Sequence, residues 1–121
     1  MKTRISLITL TAIFLLVSWP LTVMAHVHTE KTQPADGQTV DHSPKTFEAW
    51  FSGKVSGEWS KIKVTDAHGK RVDNGQVSND GDPTHLSVGL KPLSSGTYNV
   101  ELNVISGDGH RVKGYFSFSV R

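Results

Sequence analysis

The chain has 121 residues, of which 36% are hydrophobic and 20% charged, and it contains no cysteine. That length is enough for one small domain and no more, and the missing thiols exclude a disulfide framework and any thiolate metal site. The formal charge of +2 comes from Lys2 and Arg4; without them eleven basic residues face eleven acidic ones, which excludes the strong basic field that nucleic acid or anionic lipid attracts.

Residues 1–25 read as a secretory signal. Lys2 and Arg4 give the charged start, Ile5 to Trp19 the apolar run, and Val23-Met24-Ala25 the small-residue cleavage pattern. The run is shorter than the ~20 residues that span a bilayer, and nothing later rivals it. The predicted mature domain is therefore residues 26–121, exported and not inserted into a membrane. Met1 and Met24 both fall in the leader, so that domain carries no sulfur ligand. Cleavage after Ala25 makes His26 the first residue, followed by Val27, predicted to enter the first strand, and by His28.

Beyond His28 the pattern is one of short alternating segments separated by Gly, Pro, Asn and Asp. Turns fall at Pro34-Ala35-Asp36-Gly37 and Ser43-Pro44. Thr46 to Ser52 puts Phe47, Ala49 and Phe51 on one face, with Glu48 and Trp50 on the other. Lys61 to Thr65 turns Ile62 and Val64 inward, and His68-Gly69 and Asn74-Gly75 follow as turns. Asn79-Asp80-Gly81-Asp82 is acidic, but it lacks the later bidentate glutamate of an EF-hand loop and reads as a turn. His85 to Leu90 points Leu86, Val88 and Leu90 inward. After the Ser94-Ser95-Gly96 turn, Thr97 to Ile105 carries Tyr98, Val100, Leu102 and Val104, and Lys113 to Val120 carries Phe116, Phe118 and Val120. These are half-buried strands, and no window of a dozen residues has the three-and-four spacing of a helix. The expected fold is all-β, an antiparallel sandwich or Greek-key barrel.

The chemistry concentrates at two places. An N-terminal His26 offers its α-amine and its imidazole to one ion, closing a chelate ring. Asp108-Gly109-His110 adds a carboxylate and a second imidazole two residues apart, which converge on one side of an extended segment or across a bend at the flanking glycines. Three nitrogens and one oxygen form the tetragonal set that Cu(II) prefers. A competing arrangement uses the amine, two deprotonated backbone amides and the imidazole of His28 in a square plane. With Val27 in a strand its amide is committed to structure, which favours the site built across the fold. His28 is then a neighbour of the metal or an additional ligand. His42, His68 and His85 read as solvated surface. Trp50, opposite the core face, is expected to cover part of the metal region, and Trp59 is an edge aromatic.

These segments resemble the CopC family of periplasmic copper-binding proteins. The resemblance runs from Ala25-His26-Val27-His28 through Gln33-Pro34-Ala35-Asp36-Gly37, Phe51-Ser52, Pro92-Leu93 and Gly96-Thr97-Tyr98-Asn99-Val100. It continues through Val104-Ile105-Ser106-Gly107-Asp108-Gly109-His110 to Gly114-Tyr115-Phe116-Ser117-Phe118-Ser119-Val120. It implies an immunoglobulin-like Greek-key barrel of about seven strands and Cu(II) held by His26, Asp108 and His110. It also implies a role in periplasmic copper buffering, resistance or delivery to an inner-membrane partner of the CopD type. Some members have an acidic residue after the Phe-Ser pair, where Gly53 stands here; others have a methionine-rich Cu(I) segment, which this chain lacks. Two other function classes compete. One is a copper monooxygenase built on an N-terminal histidine, for which Asp108 would occupy a position that oxygen needs. The other is a structural sandwich module whose histidines are incidental. The binding protein is the favoured reading, with no enzymatic activity expected.

Overall fold

The computed structural model describes residues 26–121, so the expected leader at 1–25 lies outside the described residues. Eight strands follow one another: β1 (Thr29–Gln33), β2 (Thr39–Val40), β3 (Thr46–Phe51), β4 (Lys61–Thr65), β5 (Asp73–Ser78), β6 (His85–Leu90), β7 (Gly96–Ile105) and β8 (Arg111–Val120). They form two four-stranded sheets, ordered β1-β3-β6-β5 and β2-β8-β7-β4. This is the immunoglobulin arrangement, in which the first, second, fifth and fourth main strands share one layer and the third, sixth and seventh the other.

The all-β expectation holds, with eight strands where about seven were expected. The extra one arises because the leading strand divides. Pro34 has no N–H to continue the ladder, and Gly37 takes φ 76, a value that favours glycine. The chain thus leaves β1 in the first sheet and re-enters as β2, parallel to β8, in the second. The turn is tied down by Gly37 N–H donating to Ser117 O at 2.7 Å and Ser117 N–H to Asp36 Oδ1 at 2.9 Å.

The alternation read from the sequence is the alternation of the core. Phe47, Ala49 and Phe51 of β3 and Leu86 and Val88 of β6 meet Ile62 and Val64 of β4, Val100, Leu102 and Val104 of β7 and Phe118 of β8 between the layers. Tyr98 stacks on Phe118 with ring centroids 5.5 Å apart. Its hydroxyl donates to Ser94 O at 2.6 Å, the tyrosine-corner contact of immunoglobulin-like sandwiches. β5 was not foreseen, because Asp73-Asn74-Gly75-Gln76 lacks apolar alternation. Its backbone pairs with β6, Asp73 opposite Leu90 and Val77 opposite Val88, while the buried Asp73 carboxylate accepts from Val64 N–H at 2.9 Å and pairs with Arg71 Nη2 at 3.0 Å.

Val27 is not in the first strand, which begins at Thr29. Among the described residues no helix is long and apolar enough to cross a membrane.

Candidate metal centre

One end of the sandwich is built from three segments: residues 26–28, Ser52 to Val55 after β3, and the Ser106–His110 turn between β7 and β8. The middle segment joins the other two. Ser52 N–H donates to His28 O at 2.9 Å while His28 N–H donates to Ser52 Oγ at 3.0 Å, and Gly107 N–H donates to Lys54 O at 2.8 Å. A Cβ at position 53 would lie 3.0 Å from Val27 Cγ2. Glycine there lets the N-terminal segment lie close against the loop.

The β7–β8 connection is a bend, as the two glycines allow, with Gly109 at φ 87. Ser106, buried at its base, organises it. Its hydroxyl donates to Asp108 Oδ1 and accepts His110 N–H at 3.1 Å, while Ser106 N–H donates to His110 O at 2.8 Å. Asp108 Oδ2 lies 2.9 Å from His110 Nδ1, and both side chains are more than half exposed, at 57% and 52%. The Ser106 hydroxyl, followed by the His110 side chain and backbone N–H, holds the Asp108 carboxyl down to about 2. The carboxylate is therefore ionised at any ordinary pH. Sequence reasoning quoted Ser106 within a motif but gave it no role; its burial in the turn supplies one.

His26 arrives across the gap. Its ring meets that of His110 edge-on, with centroids 5.7 Å apart at 78°. Together with Val27, Ser106, Asp108, Arg111 and Val112 the two histidines line a pocket of about 290 Å³. The fold thus gathers His26, Asp108 and His110, residues more than eighty positions apart in sequence. Two ligands at right angles with bonds of about 2.0 Å lie about 2.8 Å apart, and the 2.9 Å between His110 Nδ1 and Asp108 Oδ2 matches such an edge. His28 is at the margin: it is exposed, does not line the pocket, and its backbone faces Ser52.

Three expectations need correction. The backbone amide committed to structure is that of His28, not that of Val27. Trp50 does not line this pocket; it packs against His85 at a 38° tilt with ring centroids 4.9 Å apart. His85 is not solvated, since its side chain is 8% exposed. It does point away from the core, as the alternation required, but Trp50, Glu48 and the Asn79–Thr84 segment cover it. Among the described residues, Glu48, Asp80 and His85 are a trio whose donor atoms all fall within 4.8 Å of one another. Sequence spacing carried no sign of it, because it depends on strand register: Trp50 pairs with His85 and Glu48 with Ser87. His42 and His68 are exposed, as expected.

An immunoglobulin-like sandwich with a histidine–carboxylate cluster at one end defines the class. The chain belongs to the CopC domain family, whose model matches residues 29–121 and so begins just after His28. It is 34% identical over 107 residues to the copper transport protein CutJ of Bacillus subtilis, covering 87% of this chain and 20% of CutJ; it spans about a fifth of that relative's length. Its fold is similar to that of CopC from Methylosinus trichosporium OB3b, with a TM-score of 0.74 and 32% identity over 78% of this chain and 93% of that one. It is also similar to PcoC, a methionine-rich copper resistance protein from Escherichia coli, with a TM-score of 0.71 and 26% identity over 80% of this chain and all of that one.

Proposed function

We propose that this protein is exported, loses residues 1–25, and binds Cu(II) in the periplasm through the His26 amine and imidazole, the His110 imidazole and the Asp108 carboxylate. Copper is its cargo: the domain buffers the ion or passes it to an inner-membrane copper protein, and performs no catalytic turnover. The observation that carries this reading is the meeting of the His26 and His110 rings beside the ionised Asp108 carboxylate. The donors are nitrogen and carboxylate oxygen, which suit Cu(II). Cu(I) favours sulfur, which residues 26–121 do not contain.

Binding exchanges protons for metal. His110 and Asp108 are in hydrogen-bond contact through Nδ1 and Oδ2. An ion ligated along that edge takes the place of the shared proton. Membership in a family with relatives named for copper transport and copper resistance supports copper as the ion.

The deciding experiment is a Cu(II) titration of exported protein whose intact mass shows His26 as the first residue, followed by EPR. One equivalent with nitrogen hyperfine structure, altered in His110→Ala and in Asp108→Ala, is expected. Spectra indifferent to both substitutions would remove the assignment.

A further inference from the structure

The buried imidazole of His85 presents an arithmetic problem that a proton or a metal ion must solve. Its Nδ1 lies 3.3 Å from Asn79 O and its Nε2 lies 3.2 Å from Glu48 Oε1. A carbonyl and a carboxylate only accept hydrogen bonds, whereas a neutral imidazole has one N–H and one bare lone pair. One nitrogen of a neutral His85 would therefore point its lone pair at an acceptor inside a site shielded from water.

A metal ion at Nε2 requires the tautomer in which Nδ1–H donates to Asn79 O, and the surroundings hold that carbonyl in place for it. Asn79 is held on both sides: its Oδ1 accepts Gly57 N–H at 3.0 Å, and its Nδ2 donates to Val55 O at 3.2 Å and to His85 O at 3.1 Å. Its backbone carbonyl is fixed in front of Nδ1. An imidazole whose far N–H is held by a backbone carbonyl has the orientation found in metal-binding histidines. Nε2 then faces Glu48, and Asp80 completes the trio within 4.8 Å. Asp80 is steered there by Ser87, whose hydroxyl donates to its Oδ2 at 2.5 Å. That contact, with Ser78, keeps its carboxyl below the ordinary carboxylate range. Asp80 is exposed and the Glu48 side chain 31% exposed, so both can swing toward an ion while His85 stays anchored.

We propose that Glu48, Asp80 and His85 form a second metal site, on the outer face of the β1-β3-β6-β5 sheet, that takes one divalent first-row transition ion of the Zn(II) type through His85 Nε2 and the two carboxylates. One imidazole and two carboxylates match the nitrogen–oxygen donor sets of Zn(II), with a fourth position left to water. The two negative charges offset the ion's charge. Trp50, tilted at 38° against the ring with centroids 4.9 Å apart, packs beside it.

The test uses the exported chain carrying His26→Ala and His110→Ala, which removes the first centre, with Zn(II) as the probe. Metal retained after dialysis is measured by atomic emission, and Co(II) absorption reports coordination geometry. One Zn(II) per chain is expected, with affinity falling more than about tenfold on adding either Glu48→Gln or Asp80→Asn, since even losses of outer partners cost that much. No retained ion, or retention indifferent to both carboxylate changes, would overturn the proposal and leave the His85–Glu48 contact as a structural pairing. Because these variants can disturb the sheet, the unsubstituted protein gives an independent reading by NMR. Zn(II) should move the His85 ring resonances, and their constancy at saturating Zn(II) would equally overturn it.

Discussion

Two histidine–carboxylate pairs sit in this small sandwich, and they are built on opposite plans. His110 and Asp108 lie two residues apart on a glycine bend, at 2.9 Å and more than half exposed. His85 and Glu48 are thirty-seven positions apart, at 3.2 Å, with the imidazole almost sealed. The first pair is open on the side where the N-terminus arrives, so a ligand can complete it. The second is embedded in cross-strand packing, where Trp50 opposite His85 and Glu48 opposite Ser87 fix its geometry. Exposure makes a pair exchangeable; burial makes it structural as well.

The sharpest way to break the comparison is to lengthen the chain. One extra residue before His26 moves the free amine elsewhere and destroys the chelate. Cu(II) affinity should then fall by more than about a hundredfold, beyond the range seen when only outer partners of a metal site are lost. A chelator competition assay measures this, and Zn(II) retention at the Glu48–Asp80–His85 trio should be unchanged. An extended chain with undiminished Cu(II) affinity would show that the open pair does not need the terminus.

Stability should separate the pairs in the opposite sense. His85→Ala leaves a cavity and removes the partner of Glu48 and one of the two donors at Asn79 O, so we expect a loss of about 2–4 kcal/mol in urea unfolding. His110→Ala, at an exposed turn, should stay within about 0.5 kcal/mol in the absence of metal. Equal losses would mean that the turn is a structural element of the fold and not an open receptor.

The same contrast explains what could be read from the residues alone. Asp108 and His110 are neighbours in sequence, and His26 stands out as the residue after the expected cleavage point, so local reasoning singled out three residues that the fold brings to one pocket. Strands β3, β4, β6, β7 and β8 were equally legible, because a two-residue alternation over five or more positions is a property of one segment. The Glu48–Asp80–His85 trio was not, because the pairing of β3 with β6 is a register that no single strand encodes. Alternation gave His85 its direction, away from Leu86, and direction was mistaken for exposure. β5 escaped for a related reason: its pairing with β6 and the bond from Val64 N–H of β4 to the Asp73 carboxylate are contacts between segments.

Acid should act on the open centre through its nitrogens and not through its carboxylate. With Asp108 held at about 2, its charge is complete above pH 4 and is lost only far below the range in which amines and imidazoles are protonated. Cu(II) affinity should therefore decline from about pH 8 downward, where free amines begin to take up protons, by about tenfold per pH unit for each displaced proton. No further step should appear near pH 4. Affinity measured from pH 7.5 to pH 4 tests this, and a profile that stays flat to pH 5 would exclude amine and imidazole ligands.

The smallest expected effect belongs to His28, and it separates the two ways copper can use the N-terminus. A square-planar complex of residues 26–28 needs deprotonated amides at Val27 and His28. The His28 amide already donates to Ser52 Oγ, and the His28 carbonyl accepts Ser52 N–H in return. Forming that complex would break the first of these bonds and loosen the segment that carries His26 toward His110. A site built across the fold leaves both bonds in place and asks nothing of the His28 imidazole, which is exposed and absent from the pocket wall. His28→Ala should accordingly change Cu(II) affinity by no more than about twofold, equivalent to ~0.5 kcal/mol, and leave the EPR parameters unaltered. Ser52→Ala should weaken binding more than His28→Ala does, because it frees the strand entry that aims His26 at the pocket. The reverse order, with His28→Ala the more damaging and a His26-Val27-His28 peptide reproducing the protein's spectrum, would transfer the copper from Asp108 and His110 to the terminus alone.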